Sequence, residues 1–197
     1  MATFSTRARP LPILVAGDPR LTQRSAEIAG VDAAMLAQAS DLVATLRDFR
    51  QRSGFGRAIS AVQCGIPRRL VAMDLGAEPF VLINPEIEWL SNEVVVAEEG
   101  CLSLPRVSMD VERPLHARLN GLDVDGESIR IEASGLEARV LQHELDHLDG
   151  VLILDRAPRA QRKGALRALR EGGSYSPPLA EQDEADEGEH REPKSTP

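Results

Sequence analysis

Apolar residues recur at Met35, Ala39, Leu42, Val43, Leu46 and Phe49, three or four positions apart, the spacing of one face of an α-helix. Asp32 stands where an N-cap belongs, and Ser53-Gly54 marks where that helix should stop. From residue 70 the pattern changes. Leu70-Val71-Ala72-Met73, Phe80 to Asn84 and Val94 to Ala97 are short apolar runs of strand type, the second expected to end before Pro85. Val107 to Val111 alternates apolar and polar, as a half-buried strand does. Ala117-Arg118-Leu119 and Ile129-Arg130-Ile131 flank Asp125-Gly126, a hairpin signal. A second helical stripe follows at Leu136, Val140, Leu141, Leu145 and Leu148. Ser134-Gly135-Leu136-Glu137 reads as its capping box, and Gly150 suits its C-terminal cap. Val151 to Leu154 is a short buried run, and Arg159 to Arg170 a basic helix carrying Leu166 and Leu169. Strands that follow one another without intervening helices predict antiparallel sheets and an α+β class. The helix around residue 143 is expected to pack centrally, into the concave face of those sheets.

Composition narrows this picture. The 197 residues suffice for one domain with a sizeable core, and a hydrophobic fraction of 42% is that of a globular protein. No run approaches the length of a membrane span, and Leu11 to Ala16 is too short for a secretory core, so a cytoplasmic protein is expected. The net charge of −8 lies largely in the tail, where Glu181, Asp183, Glu184, Asp186, Glu187, Glu189 and Glu192 face only Arg191 and Lys194. Residues 1–10 read as a flexible arm, 11–173 as the folded unit and 174–197 as a disordered acidic tail. In such a chain Cys64 and Cys101 read as thiols or ligands rather than a disulfide.

The candidate chemistry sits on the second helix. His143 and His147 are four residues apart and therefore share a face, so both rings can reach one metal ion. Glu144 between them has the place of the general base in H-E-x-x-H hydrolases. The third ligand is not adjacent. Peptidases that extend the motif to a third histidine would need one where Ile153 stands, and His116 and His190 lie in a hairpin and in the tail. Glu171, at the end of the basic helix, reads better as a surface carboxylate. Cys101 is the better candidate, because a thiolate binds a divalent metal strongly and two histidines plus one cysteine leave a fourth position for water.

Three separated segments now agree. Gly-x-x-x-x-Ala-x-Gln at 56–63, Glu-Gly-Cys-Leu-Ser at 99–103 and Gln-His-Glu-x-Asp-His-Leu-x-Gly at 142–150 resemble the signature segments of the peptide deformylases, in order. The resemblance runs from about Leu11 to Leu154. It implies a metallohydrolase that removes the formyl group from N-formylmethionyl nascent peptides and releases formate. It implies Cys101, His143 and His147 as ligands of one divalent ion, iron(II) by preference, with zinc or nickel as substitutes. It implies Glu144 as general base, and Gln63 with the backbone N–H of Leu102 as donors to the oxyanion. Gly56, Arg57, Ala58, Glu99 and Gly100 would bind the peptide. The basic helix resembles, in place and charge, the C-terminal helix by which some bacterial deformylases dock on ribosomes.

The first segment departs from the family pattern Gly-φ-Gly-φ-Ala-Ala-x-Gln, where φ is apolar. Arg57 replaces the first apolar residue, Ala58 the second glycine and Ser60 the first alanine. These changes leave room for two other readings: a related hydrolase with another N-acyl substrate, or a binding protein that has kept the fold without turnover. Intact Glu144, Gln63 and ligand residues argue against the last.

Overall fold

The computed structural model describes residues 8–76 and 78–178. Its elements in chain order are α1 (Ala33–Ser53), β1 (Ala58–Ser60), β2 (Leu70–Met73), β3 (Phe80–Leu90), β4 (Val94–Cys101), β5 (Leu104–Pro114), β6 (His116–Leu122), β7 (Ser128–Ser134), α2 (Gly135–Leu148), α3 (Ile153–Arg156) and α4 (Arg159–Glu171). Every strand pairing is antiparallel. β1-β2-β3-β6-β7 form one sheet, and β4-β5 a separate two-stranded ribbon. The α+β class holds.

The first helix begins and ends where its local chemistry demands. The Asp32 carboxylate accepts from the Met35 N–H at 2.7 Å, and Gly54 closes the helix in the left-handed conformation at φ 77°. Its apolar stripe is buried against β1 and β2, in a core shared by Leu42, Leu46, Ile59, Leu70 and Ile83. The hairpin expected around Asp125-Gly126 is the β6–β7 pair, with Leu122 opposite Ser128.

Two local expectations fail. β3 does not end before Pro85 but runs on to Leu90 through a break in register between Ile83 and Glu86. Asn84 makes the break by adopting φ 49°, which asparagine tolerates better than most residues. Its side-chain amide is then clamped on both sides by Ile28, donating to the carbonyl and accepting from the N–H at 2.9 Å each. A proline is tolerated in a strand at such an irregularity, where no ladder hydrogen bond is lost. The capping box at Ser134 is likewise not formed: Ser134 is the N-cap of α2, but its hydroxyl makes no capping bond.

The far end of α2 is better specified. Gly150 takes φ 77°, and a Cβ there would lie 2.7 Å from the backbone carbonyl of Thr22. Glycine is required on both counts, conformation and close approach. It lets the N-terminal segment pass under the helix, where Ser25 donates its N–H to the Leu148 carbonyl at 2.7 Å. The same segment joins the turn after β1 to the turn between β4 and β5, since the N–H of Leu14 reaches the Gln63 carbonyl and that of Ala16 the Ser103 carbonyl. The arm is tied from Arg9, whose N–H meets Asp41 at 2.8 Å; residues 1–7 lie outside the described residues.

α4 lays Ala165 and Ala168 on the ribbon. The segment beyond it was expected to be disordered from residue 174, but its start is ordered. Tyr175 bridges to Val107, accepts from the Ser108 N–H at 2.9 Å and packs so closely on Gly164 that no Cβ would fit between them. The acidic residues from Glu181 onward lie outside the described residues. No helix among those described is long and apolar enough to cross a membrane.

Candidate metal centre

α2 packs against β1, β5, β6 and β7, with Ala138, Leu141, Leu145 and Leu148 on the larger sheet. The adjoining face carries Arg139, His143, Asp146 and His147 toward the ribbon. In β4 the two-residue period of a strand turns Glu99 and Cys101 inward together, while Glu98 and Gly100 face out. Cys101 Sγ thereby reaches His147 Nε2 at 3.2 Å, although the residues are 46 positions apart in the chain. The His143 and His147 rings meet edge to face at 4.9 Å between centroids. One ligand atom from each of Cys101, His143 and His147 lies within 4.8 Å of the others. Two ligands on a tetrahedral ion, one S and one N, stand about 3.6 Å apart. The donor set and its spacing therefore fit a single transition-metal ion.

The electrostatics agree. Burial, reinforced by a charge on His143 and by Arg113, pushes the pKa of His147 well below the ordinary range and keeps it neutral, as a ligand must be. At His143 burial acts the same way, but hydrogen bonds to Cys101 and Glu99 outweigh it and raise the pKa well above the ordinary value. A spot that attracts a proton this strongly also attracts a cation, and the two compete. His143 Nδ1 lies 2.9 Å from Glu99 Oε2, a contact in which the ring nitrogen donates, so Nε2 is left with its lone pair for a metal.

Glu99 is held from all sides. Arg113 donates to Oε1 at 2.6 Å and to Oε2 at 3.0 Å, and Arg139 donates to Oε1 at 2.7 Å. Arg113 also reaches Asp146 at 2.9 Å, which takes Arg156 at 2.6 Å as well. Burial raises the Glu99 pKa, yet the bonds from His143 and Arg113 override it and hold it at about 2. Glu99 was expected among the peptide-binding residues. It lies along the wall of the groove, but both carboxylate oxygens are turned inward and engaged.

Glu144 is buried, and burial raises its pKa against the opposing His143 charge and a hydrogen bond from Ser60. Gln63 is buried beside it, with Nε2 3.7 Å from Cys101 Sγ and 3.1 Å from Ser103 Oγ. A groove opens above these residues, bounded by Gly56, Arg57, Ala58, Glu99, Gly100, Leu102, His143 and Glu144. Cys101, His147 and Gln63 are buried, with Gln63 and His147 both meeting the Cys101 sulfur. At Gly100 a Cβ would meet nothing within 4 Å, so the bare backbone faces open space. Phe55, Leu136, Arg139 and Val140 complete the wall. His116 begins β6 and is not in the cluster; Glu171 is exposed and paired with Arg167 at 3.0 Å; Ile153 is core. His190 lies outside the described residues.

Arg113 and Arg139 escaped the sequence analysis, and Asp146 entered it only as a motif position. A signal was present for one of them. Val107, Met109 and Val111 alternate inward on β5, and two residues on the same register is occupied by Arg113, a charge at a core position.

Similarity to known proteins bears directly on these residues. The family model described as polypeptide deformylase matches residues 10–163. The peptide deformylase of Agrobacterium fabrum is 41% identical over 161 residues, covering 79% of this chain and 92% of the relative. That of Phenylobacterium zucineum is 37% identical over 163 residues, covering 80% and 94%. The crystal structure of a peptide deformylase from Synechococcus elongatus in complex with actinonin superposes with a TM-score of 0.77 at 34% identity, covering 88% of this chain and 93% of that one. The matched span includes Gln63, the ribbon and the whole of α2, and on this evidence the chain belongs to the peptide deformylase family.

Proposed function

We propose that this chain hydrolyses the N-formyl group of nascent peptides at a centre formed by Cys101, His143 and His147, with Glu144 on α2 as its general base. The convergence of one thiol and two imidazoles beside a buried carboxylate carries this reading. A divalent ion held there would polarise the formyl carbonyl and lower the pKa of a bound water. Everything else falls to the protein. Glu144 takes a proton from the attacking water as its oxygen bonds to the formyl carbon. The carboxyl returns that proton to the nitrogen as the C–N bond breaks, leaving formate and a free amine. The raised pKa of Glu144 suits a group that must both accept and release a proton. Gln63 Nε2 and the Leu102 N–H would donate to the oxyanion, each worth on the order of 3 kcal/mol in comparable sites.

Iron(II) is the metal we favour, as the likeness to the deformylases implies; thiolate and imidazole suit nickel and zinc equally. Gly56, Arg57, Ala58, Glu99 and Gly100 bound the groove and would receive the peptide, with the first side chain toward Phe55 and Leu136. Cys101→Ser should lower the metal content of the purified protein well below one ion per chain, because a hydroxyl replaces the strongest ligand. Full occupancy in Cys101→Ser, measured by elemental analysis, would refute the ligand set.

The C-terminal helix supports a second part of the reading, contact with the ribosome. With Ala165 and Ala168 packed down, Arg159, Arg162, Lys163, Arg167 and Arg170 are all exposed on α4. Such a surface gains affinity for RNA phosphate by counterion release. Replacing the five by Gln should abolish sedimentation with ribosomes at low salt while hydrolysis of a formylated dipeptide is unchanged. Unaltered sedimentation would leave α4 a surface helix only.

A further inference from the structure

Ser60 stands at the end of β1, fully buried, where the family pattern has alanine. Its Oγ lies 2.6 Å from Glu144 Oε2 and 3.0 Å from the Glu144 main-chain oxygen. A hydroxyl has one proton to give, and the shorter, charge-assisted contact takes it. Oε1 of Glu144 has no hydrogen-bond partner among the described residues, and Glu144 lines the groove. One carboxylate oxygen is therefore tethered and the other is left for the reaction. The Ser60 N–H meanwhile donates to Gln63 Oε1 at 2.9 Å, which turns Gln63 Nε2 toward Cys101.

We propose that Ser60 is a positioning residue for the hydrolysis, its hydroxyl holding the Glu144 carboxylate by Oε2 so that Oε1 faces the attacking water. The inference rests on Glu144 being the base. A glutamate side chain has several rotatable bonds, and a tether from a separate, rigid strand removes that freedom before substrate arrives. The proton is taken up and handed on at Oε1, so the Ser60 bond to Oε2 persists through both halves of the reaction. An alanine here has no donor to offer. The buried Oε2 would then lose its only partner among the described residues, and the carboxylate would turn among orientations of which one is productive.

Ser60→Ala, assayed as the iron(II)-loaded protein on formyl-Met-Ala, should lower kcat about tenfold, the scale of one lost hydrogen bond to a charged group. KM should stay within about twofold and metal content should be unchanged, because Ser60 is placed to touch neither substrate nor ion. In a Glu144→Gln background the same replacement should cost nothing further, since the hydroxyl acts through the carboxylate. Wild-type kcat in Ser60→Ala, a loss confined to KM, or an equal loss in the Glu144→Gln background would each overturn the proposal. Full activity of Glu144→Gln alone would instead remove the base assignment beneath it, a separate result from any in the serine arm.

Discussion

Glu144→Gln should lower kcat by at least ~10²-fold, the lower end for loss of a general base, while the protein keeps its metal. The amide has the size of the carboxylate, and its oxygen can still accept from Ser60 across the 2.6 Å contact, so packing between α2 and β1 is preserved. What it cannot do is accept the proton. Cys101, His143 and His147 are unaltered, so elemental analysis should find the same occupancy as in the parent. Retained activity with retained metal would take Glu144 out of the mechanism.

Glu99→Gln should destabilise the fold by about 3 kcal/mol, the lower end for breaking a buried ion pair by removing one partner. The parent carboxylate answers Arg113 and Arg139, and the Glu99 and Arg113 side chains are each 4% exposed. Without it Arg113 keeps Asp146 at 2.9 Å, which is why the lower figure applies, but Arg139 loses its only carboxylate among the described residues. Thermal unfolding should shift down by about 10 °C in a domain of this size. The parent protein carries a matching pH signature. A carboxyl held at about 2 when folded, against an ordinary 4.5, stabilises the fold fully above that ordinary value. That contribution is lost as pH falls from about 4.5 toward 2, so this part of the acid unfolding should be absent from Glu99→Gln. A shift below 1 kcal/mol, or an identical acid profile, would show that the pair contributes little.

These two residues mark the boundary of what the chain's order reveals. Features governed by neighbours were legible. Asp32 and Gly54 delimit α1 by local hydrogen bonds, Asp125-Gly126 turns a hairpin, and His143 and His147 share a face because a helix turns every 3.6 residues. Cys101 was legible as a ligand candidate by chemistry and by resemblance, though nothing local brings it to His147. Features set by distant partners were not. Pro85 reads as a strand end until Ile28 is seen to clamp Asn84. Ser134 and Glu137 have the types of a capping box without its hydrogen bond. Nothing beside Glu99 in the chain announces that Arg113 and Arg139, from β5 and α2, close on it. Ser60 was visible as a departure in the first segment, but only the packing of β1 on α2 gives its hydroxyl a partner.

Hydrolysis of the formyl group should depend on one ion at Cys101, His143 and His147. Formate release from formyl-Met-Ala, followed without oxygen for the iron(II)-loaded protein and for the same protein stripped of metal, tests it most directly. The loaded protein should release one formate for each amine freed, lose that activity on stripping and regain it on reloading. Formate release undiminished by complete removal of the metal, or none with iron, nickel or zinc restored, would contradict it.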